Sequence, residues 1–61
     1  MLPQSLSVGD RVSVQSGGKY DGEYATVVGF EWEGDSVGIV VQIDGLRHNS
    51  WFKPEYLILM K

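Results

Sequence analysis

Sixty-one residues set a ceiling of one small domain, which needs a tidy core, a staple or a partner to be stable. There is no cysteine and only one histidine, so disulfides are excluded and a zinc site has almost no ligands to draw on. Eight acidic against five basic side chains give a net charge of −3, the wrong sign for a surface built to displace counterions from a nucleic-acid backbone.

In chain order, residues 1–6 carry no periodic pattern and are expected to be a flexible N-terminal segment ahead of a domain over residues 7–61. "VGD" sets a turn before "RVSVQ", where Val12 and Val14 share one strand face while Arg11, Ser13 and Gln15 share the other. "SGGKYDG" follows as a loop. The longest β-prone run is "EYATVVGFEWE". Strict alternation puts Tyr24, Thr26, Val28, Phe30 and Trp32 on one face, with Ala25, Val27 and Gly29 on the other. Apolar residues on both faces predict a strand that bends and serves the core from each half. Gly29 is the expected site of the bend, because an interior strand glycine often marks a bulge.

"EGDS" is the next turn. "VGIVVQI" then aligns Val37, Ile39, Val41 and Ile43 on one face. Asp44 and Gly45 give a tight-hairpin signal. A fourth strand is expected in "LRHNSWF", with His48, Ser50 and Phe52 alternating with Arg47, Asn49 and Trp51. Pro54 suits the first position of a single 3₁₀ turn in "KPEYL", and "LILM" supplies a fifth strand. Helical periodicity is otherwise absent. The chain reads as all-β: a strongly bent five-stranded barrel with one 3₁₀ turn before the last strand.

With these motifs, the chain resembles the SH3-like barrels of the KOW type over nearly its whole length. The likeness rests on "VGDRVSV", "GGKYDGEYATVVGF" and "KPEYLILM". In the KOW pattern a V-x-V strand leads through a lysine-containing glycine loop to G-x-x-G-x-V. Gly22, Ala25 and Val27 occupy the last three marked positions, and Ala25 replaces the second glycine. The resemblance implies the fold, and it implies nucleic-acid or ribosome-associated binding as one function. The opening Gly9, Asp10, Arg11 and Val12, followed by Ser16, Gly17, Val28, Gly29 and Phe30, is also similar to the type II dihydrofolate reductases. That family lines its active pore with a V-Q-I-Y segment and a lysine. Here Val41, Gln42 and Ile43 fall one strand too early, and Val14 stands near the lysine position. The second likeness therefore implies shared architecture without the active site.

Nothing in the sequence assembles a catalytic group. Lys19 follows two glycines, but a phosphate loop needs a hydroxyl residue and a helix next, and here Tyr20 and a strand follow. Glu31, Glu33 and Asp35 read as a solvated hairpin tip, with too few oxygens for an all-protein calcium site. His48 has Ser50 two residues on but no carboxylate behind it. No catalytic residue, cofactor or metal is expected.

The aromatics are more informative, because a barrel this small cannot enclose all seven. Phe30 and Phe52 lack a polar handle and are the natural core choices, and Tyr56 is expected to pack under the 3₁₀ turn. Tyr20, Tyr24, Trp32 and Trp51 remain as amphipathic anchors for a surface. Tyr20, Tyr24 and Trp51 are expected to share one patch, with Arg47 and His48 on the adjoining strand. The leading expectation is a non-catalytic interaction module that binds a protein partner, or itself, through Tyr20, Tyr24, Trp32, Arg47, His48 and Trp51. The alternative is a nucleic-acid binder in which Arg11, Lys19, Arg47 and Lys53 meet phosphates while Tyr20 or Trp51 stacks on bases. An enzyme is the third. No run approaches the roughly 20 apolar residues of a membrane span. "MLPQSLS" lacks the basic start and apolar core of a secretory signal. A soluble, cytoplasmic protein is expected.

Overall fold

The computed structural model describes residues 6–60. Its elements are β1 (Arg11–Val14), β2 (Tyr24–Glu33), β3 (Ser36–Ile43), β4 (Asn49–Phe52), a 3₁₀ turn (Pro54–Tyr56) and β5 (Leu57–Leu59). All strand pairings are antiparallel, in the order β4-β3-β2-β1-β5. This all-β architecture, with a single 3₁₀ turn before the last strand, is the one the sequence predicts, and it is compatible with an SH3-like fold.

No ladder joins the edge strands β4 and β5 among the described residues. Yet Val12, Val14, Ala25, Val27, Ile39, Val41, Ile43 and Leu57 are all buried on one side of this lone sheet. No α-helix among the described residues covers that side; the curl of the sheet buries it together with Tyr20 and Leu46, which pack against it from the loops. Leu6 also joins this core at 6 % exposure, although it belongs to the segment read as a flexible lead-in. The rest of that segment, residues 1–5, lies outside the described residues.

The bend in β2 is a β-bulge. Ala25 pairs with Ile43 and Val27 with Val41, but Gly29 then pairs with Val40, so Val28 is the extra residue. An extra residue resets the alternation of faces. Before it the odd positions Ala25 and Val27 face the core; after it Phe30 pairs with the buried Ile39 and Trp32 with Val37. Strict alternation had put Tyr24 and Trp32 on one face, and the bulge puts them on opposite faces. Phe30 faces the core side as expected but lies beyond the core's end, 37 % exposed. Phe52 is half-buried against the core, and Tyr56 is exposed at the end of the 3₁₀ turn.

The two hairpin turns differ. Glu33 pairs with Ser36 across Gly34 and Asp35, and Gly34 has φ +63° while no non-glycine residue among those described has positive φ. That combination suits a type II′ turn, whose twist matches the strands. The Asp44–Gly45 signal does not make a two-residue hairpin. Leu46 N–H donates to Ile43 O, with positive φ only at Gly45, and Leu46 then packs against the core. The chain therefore needs residues 47 and 48 before β4 begins at Asn49, and Arg47 and His48 stand ahead of the strand, both exposed.

Ile39→Ala is expected to cost about 2–5 kcal/mol, against the roughly 3–9 kcal/mol of stability typical for a chain of this length. Ile58→Ala, on the exposed face of β5, is expected to stay within about 0.5 kcal/mol of wild type. Urea denaturation followed by circular dichroism compares the two, and equal losses would contradict the assignment of faces.

Candidate functional site

The loop between β1 and β2 is closed on itself. Gly17 N–H donates to the Asp21 carboxylate at 2.9 Å and Gly18 N–H to Ser16 Oγ at 3.3 Å. Asp21 N–H returns to Gly18 O, and Gly22 N–H reaches Val14 O. The N–H groups of Gly17, Gly18, Asp21 and Gly22 are thus taken by oxygens of the chain itself, the Asp21 carboxylate among them, and are not offered to an anion. Tyr20 leaves the loop to meet Phe52 edge-to-face, ring centroids 6.5 Å apart, and Lys19 Nζ lies 5.4 Å from the Tyr20 centroid. A shallow groove of about 200 Å³ runs beside them, lined by Lys19, Tyr20, Glu23, Ile43, Asp44 and Leu46.

Trp51 sits on the other side of β4. It pairs with Val40, and its indole lies across Gly38 on the outward face of the sheet. Any Cβ at Gly38 would land inside the ring. The missing side chain is what lets the indole lie flat, and it leaves Trp51 45 % exposed. Glu31 stands opposite Gly38 on β2. Tyr24 is on the outward face too, 50 % exposed, but near the opposite end of the sheet, where it pairs with Ser13.

Between them an ion pair links β1 to the turn after β3, with Thr26 of β2 joining it. Arg11 donates from Nη1 to Asp44 Oδ1 at 2.9 Å and from Nη2 to Oδ2 at 2.6 Å, and Nη1 also donates to Thr26 Oγ1 at 2.8 Å. The hydrogen bonds from Arg11 hold the Asp44 carboxyl below its ordinary range, and its acceptance keeps Arg11 firmly charged.

The six candidate residues therefore do not form one patch. Tyr20 is committed to the core side through Phe52, while Trp51 and Tyr24 occupy separate parts of the outward face. Trp32 stands on the core-side face of the β2–β3 hairpin, beyond the core, and at 70 % exposure is the most open large hydrophobic side chain described. Arg47 and His48 lie in the connection before β4. Gly38 is the contributor that sequence reading missed, because only the strand register reveals which glycine lies under which tryptophan. The sequence already put Phe30 on one face with Trp32, whereas Val37 as the cross-strand partner of Trp32 again needs the strand register.

Among the described residues no cluster of three or more His, Asp or Glu side chains could hold a metal ion. No helix among them is long and apolar enough to cross a membrane. Comparison with protein-family models, curated proteins and solved structures found no match to this chain.

Two outcomes follow from this geometry. In a Trp32→Phe background, Gly38→Ala is expected to lift Trp51 off the sheet, shifting its emission to the red and raising its acrylamide quenching; unchanged fluorescence would refute the stacking. Asp44 is expected to titrate below the ordinary carboxylate value of about 3.9, and Arg11→Met to return it there, as followed by carboxyl NMR. Because the folded value is depressed, the pair's stabilisation is complete above the ordinary value and is lost as pH falls through the depressed one. The pair is exposed, so added salt should weaken the effect.

Proposed function

We propose that this protein is a non-catalytic interaction module that binds a protein partner through surface aromatics. The observation that carries the reading is the division of labour between aliphatic and aromatic residues. The fully buried positions are filled by Val, Ile, Leu and Ala, while Trp32, Trp51 and Tyr24 are held outside. Large aromatics on strands offer broad contact area at little conformational cost, which is why they dominate binding hot spots.

Nucleic-acid binding of the KOW type is the weaker reading. Arg11 is engaged by Asp44, Tyr20 packs edge-on against Phe52, and the net charge is −3. Lys19 beside Tyr20 remains its best local support. Reductase chemistry has nothing to draw on beyond the shared architecture.

The test is affinity capture from the native host with identification of the captured protein, repeated with Trp51→Ala and with Trp32→Ser. Loss of a central hot-spot aromatic costs about 2 kcal/mol or more, roughly 30-fold in affinity. At least one of the two variants is expected to lose the partner by that margin. Retention by both would overturn the reading. Micromolar binding of single-stranded RNA that collapses with salt would favour the nucleic-acid alternative.

A further inference from the structure

The reading of the protein as an interaction module leaves open which face binds and what it binds. We infer that the outward face of the sheet around Gly38, formed by Trp51, Glu31 and Glu33, takes an arginine side chain of another protein. This inference rests on the interaction-module reading and narrows it to one surface and one partner chemistry.

The face follows from the strand register. Val28 is the extra residue of the bulge, so the odd positions of β2 beyond it point away from the core. Phe30 pairs with the buried Ile39, whereas Glu31 pairs with Gly38 and Glu33 with Ser36. Trp51 reaches the same side from β4, and its indole fills the place that a Gly38 side chain would take. Directly opposed residues on one face of a sheet have Cβ atoms roughly 5 Å apart. Glu31 is therefore the ring's neighbour across the strands, and Glu33 follows roughly 7 Å further along β2. The Gly38 backbone supports one side of the indole, and the other side is open, leaving Trp51 45 % exposed. The ring is held in place before any partner arrives, which lowers the cost of using it.

The charge of the occupant follows from what the chain does not answer. From Glu23 through Leu46 the sequence has no basic residue. Arg11 is engaged by Asp44. Lys53, the residue after β4, forms no ion pair with either glutamate, and none reaches Glu31 or Glu33 from any other described residue. Two unneutralised carboxylates thus share a face with an open indole.

That combination selects a guanidinium. Trp is the best aromatic partner for a cation placed over its ring. A guanidinium is planar and weakly hydrated, so it stacks on the indole while its N–H groups donate to a carboxylate alongside. An ammonium is a compact, strongly hydrated charge and meets both demands less well. Nucleic acid and anionic lipid are repelled by the same carboxylates. A second copy docking this face by two-fold symmetry would bring two sets of glutamates together, which is unfavourable.

Random-peptide display against the intact protein tests this, with parallel selections on Trp51→Ala and Trp32→Ser. The expected result is enrichment of arginine-bearing, net-positive sequences. Their synthetic versions should bind roughly 30-fold more weakly to Trp51→Ala, and several-fold more weakly to Glu31→Gln/Glu33→Gln or at raised salt. Gly38→Ala, which keeps the indole but lifts it from the sheet, should weaken them too. Binding to Trp32→Ser should be unchanged. Citrulline in place of the peptide arginine keeps the shape and removes the charge, and should cost about 2- to 30-fold. Enriched peptides that lack arginine, that tolerate citrulline, or that depend on Trp32 and not on Trp51 would overturn this inference while leaving the module reading in place. No enrichment on any version would overturn both. Concentration-dependent dimerisation that Trp51→Ala abolishes, seen by light scattering, would overturn the inference by assigning the face to a second copy.

Discussion

The bulge at Val28 is the constraint on which the surface of this protein depends. A ten-residue strand with unbroken alternation would present one apolar face along its entire length. Inserting one unpaired residue changes which parity faces inward. The first half of β2 gives Ala25 and Val27 to the core, and the second half turns Phe30 and Trp32 to that same side after the core has run out. Val28 and Gly29 absorb the irregularity, with glycine supplying a position that carries no side chain to be misplaced.

From that one irregularity the two faces acquire different characters. The core side is aliphatic where it is closed and aromatic where it is open. The outward side is held by the Arg11–Asp44–Thr26 bridge at one end and by the Trp51 indole lying on Gly38 at the other. Neither of these is a large source of stability: an exposed ion pair is worth little, and a half-exposed indole gains only part of its burial. Stability rests on the aliphatic core.

Much of the fold was legible in the sequence because it follows from period-two alternation and from glycine. Val12 and Val14, and Ile39, Val41 and Ile43, alternate cleanly and are all buried. Gly29 marked the bulge, and Pro54 opened the 3₁₀ turn. What was not legible depends on register. Alternation alone could not say that the phase changes after Val28, so Tyr24 and Trp32 were grouped together and the end of the core was set too far along β2. The Asp44–Gly45 pair promised a two-residue hairpin, but Leu46 turns inward to the core and lengthens the connection. The pairing of Trp51 with Gly38 joins two residues on different strands, and no local pattern announces it.

The arrangement of the candidate surfaces stands or falls with the register of β2 against β3. A carbon-edited NOE spectrum of the labelled protein reads that register directly. The account predicts contacts from the Trp32 indole to the Val37 methyls, from the Phe30 ring to Ile39, and from the Trp51 indole to the Gly38 α-protons. Contacts from Phe30 or Trp32 to Val40 or Trp51 would place them on the outward face and contradict it.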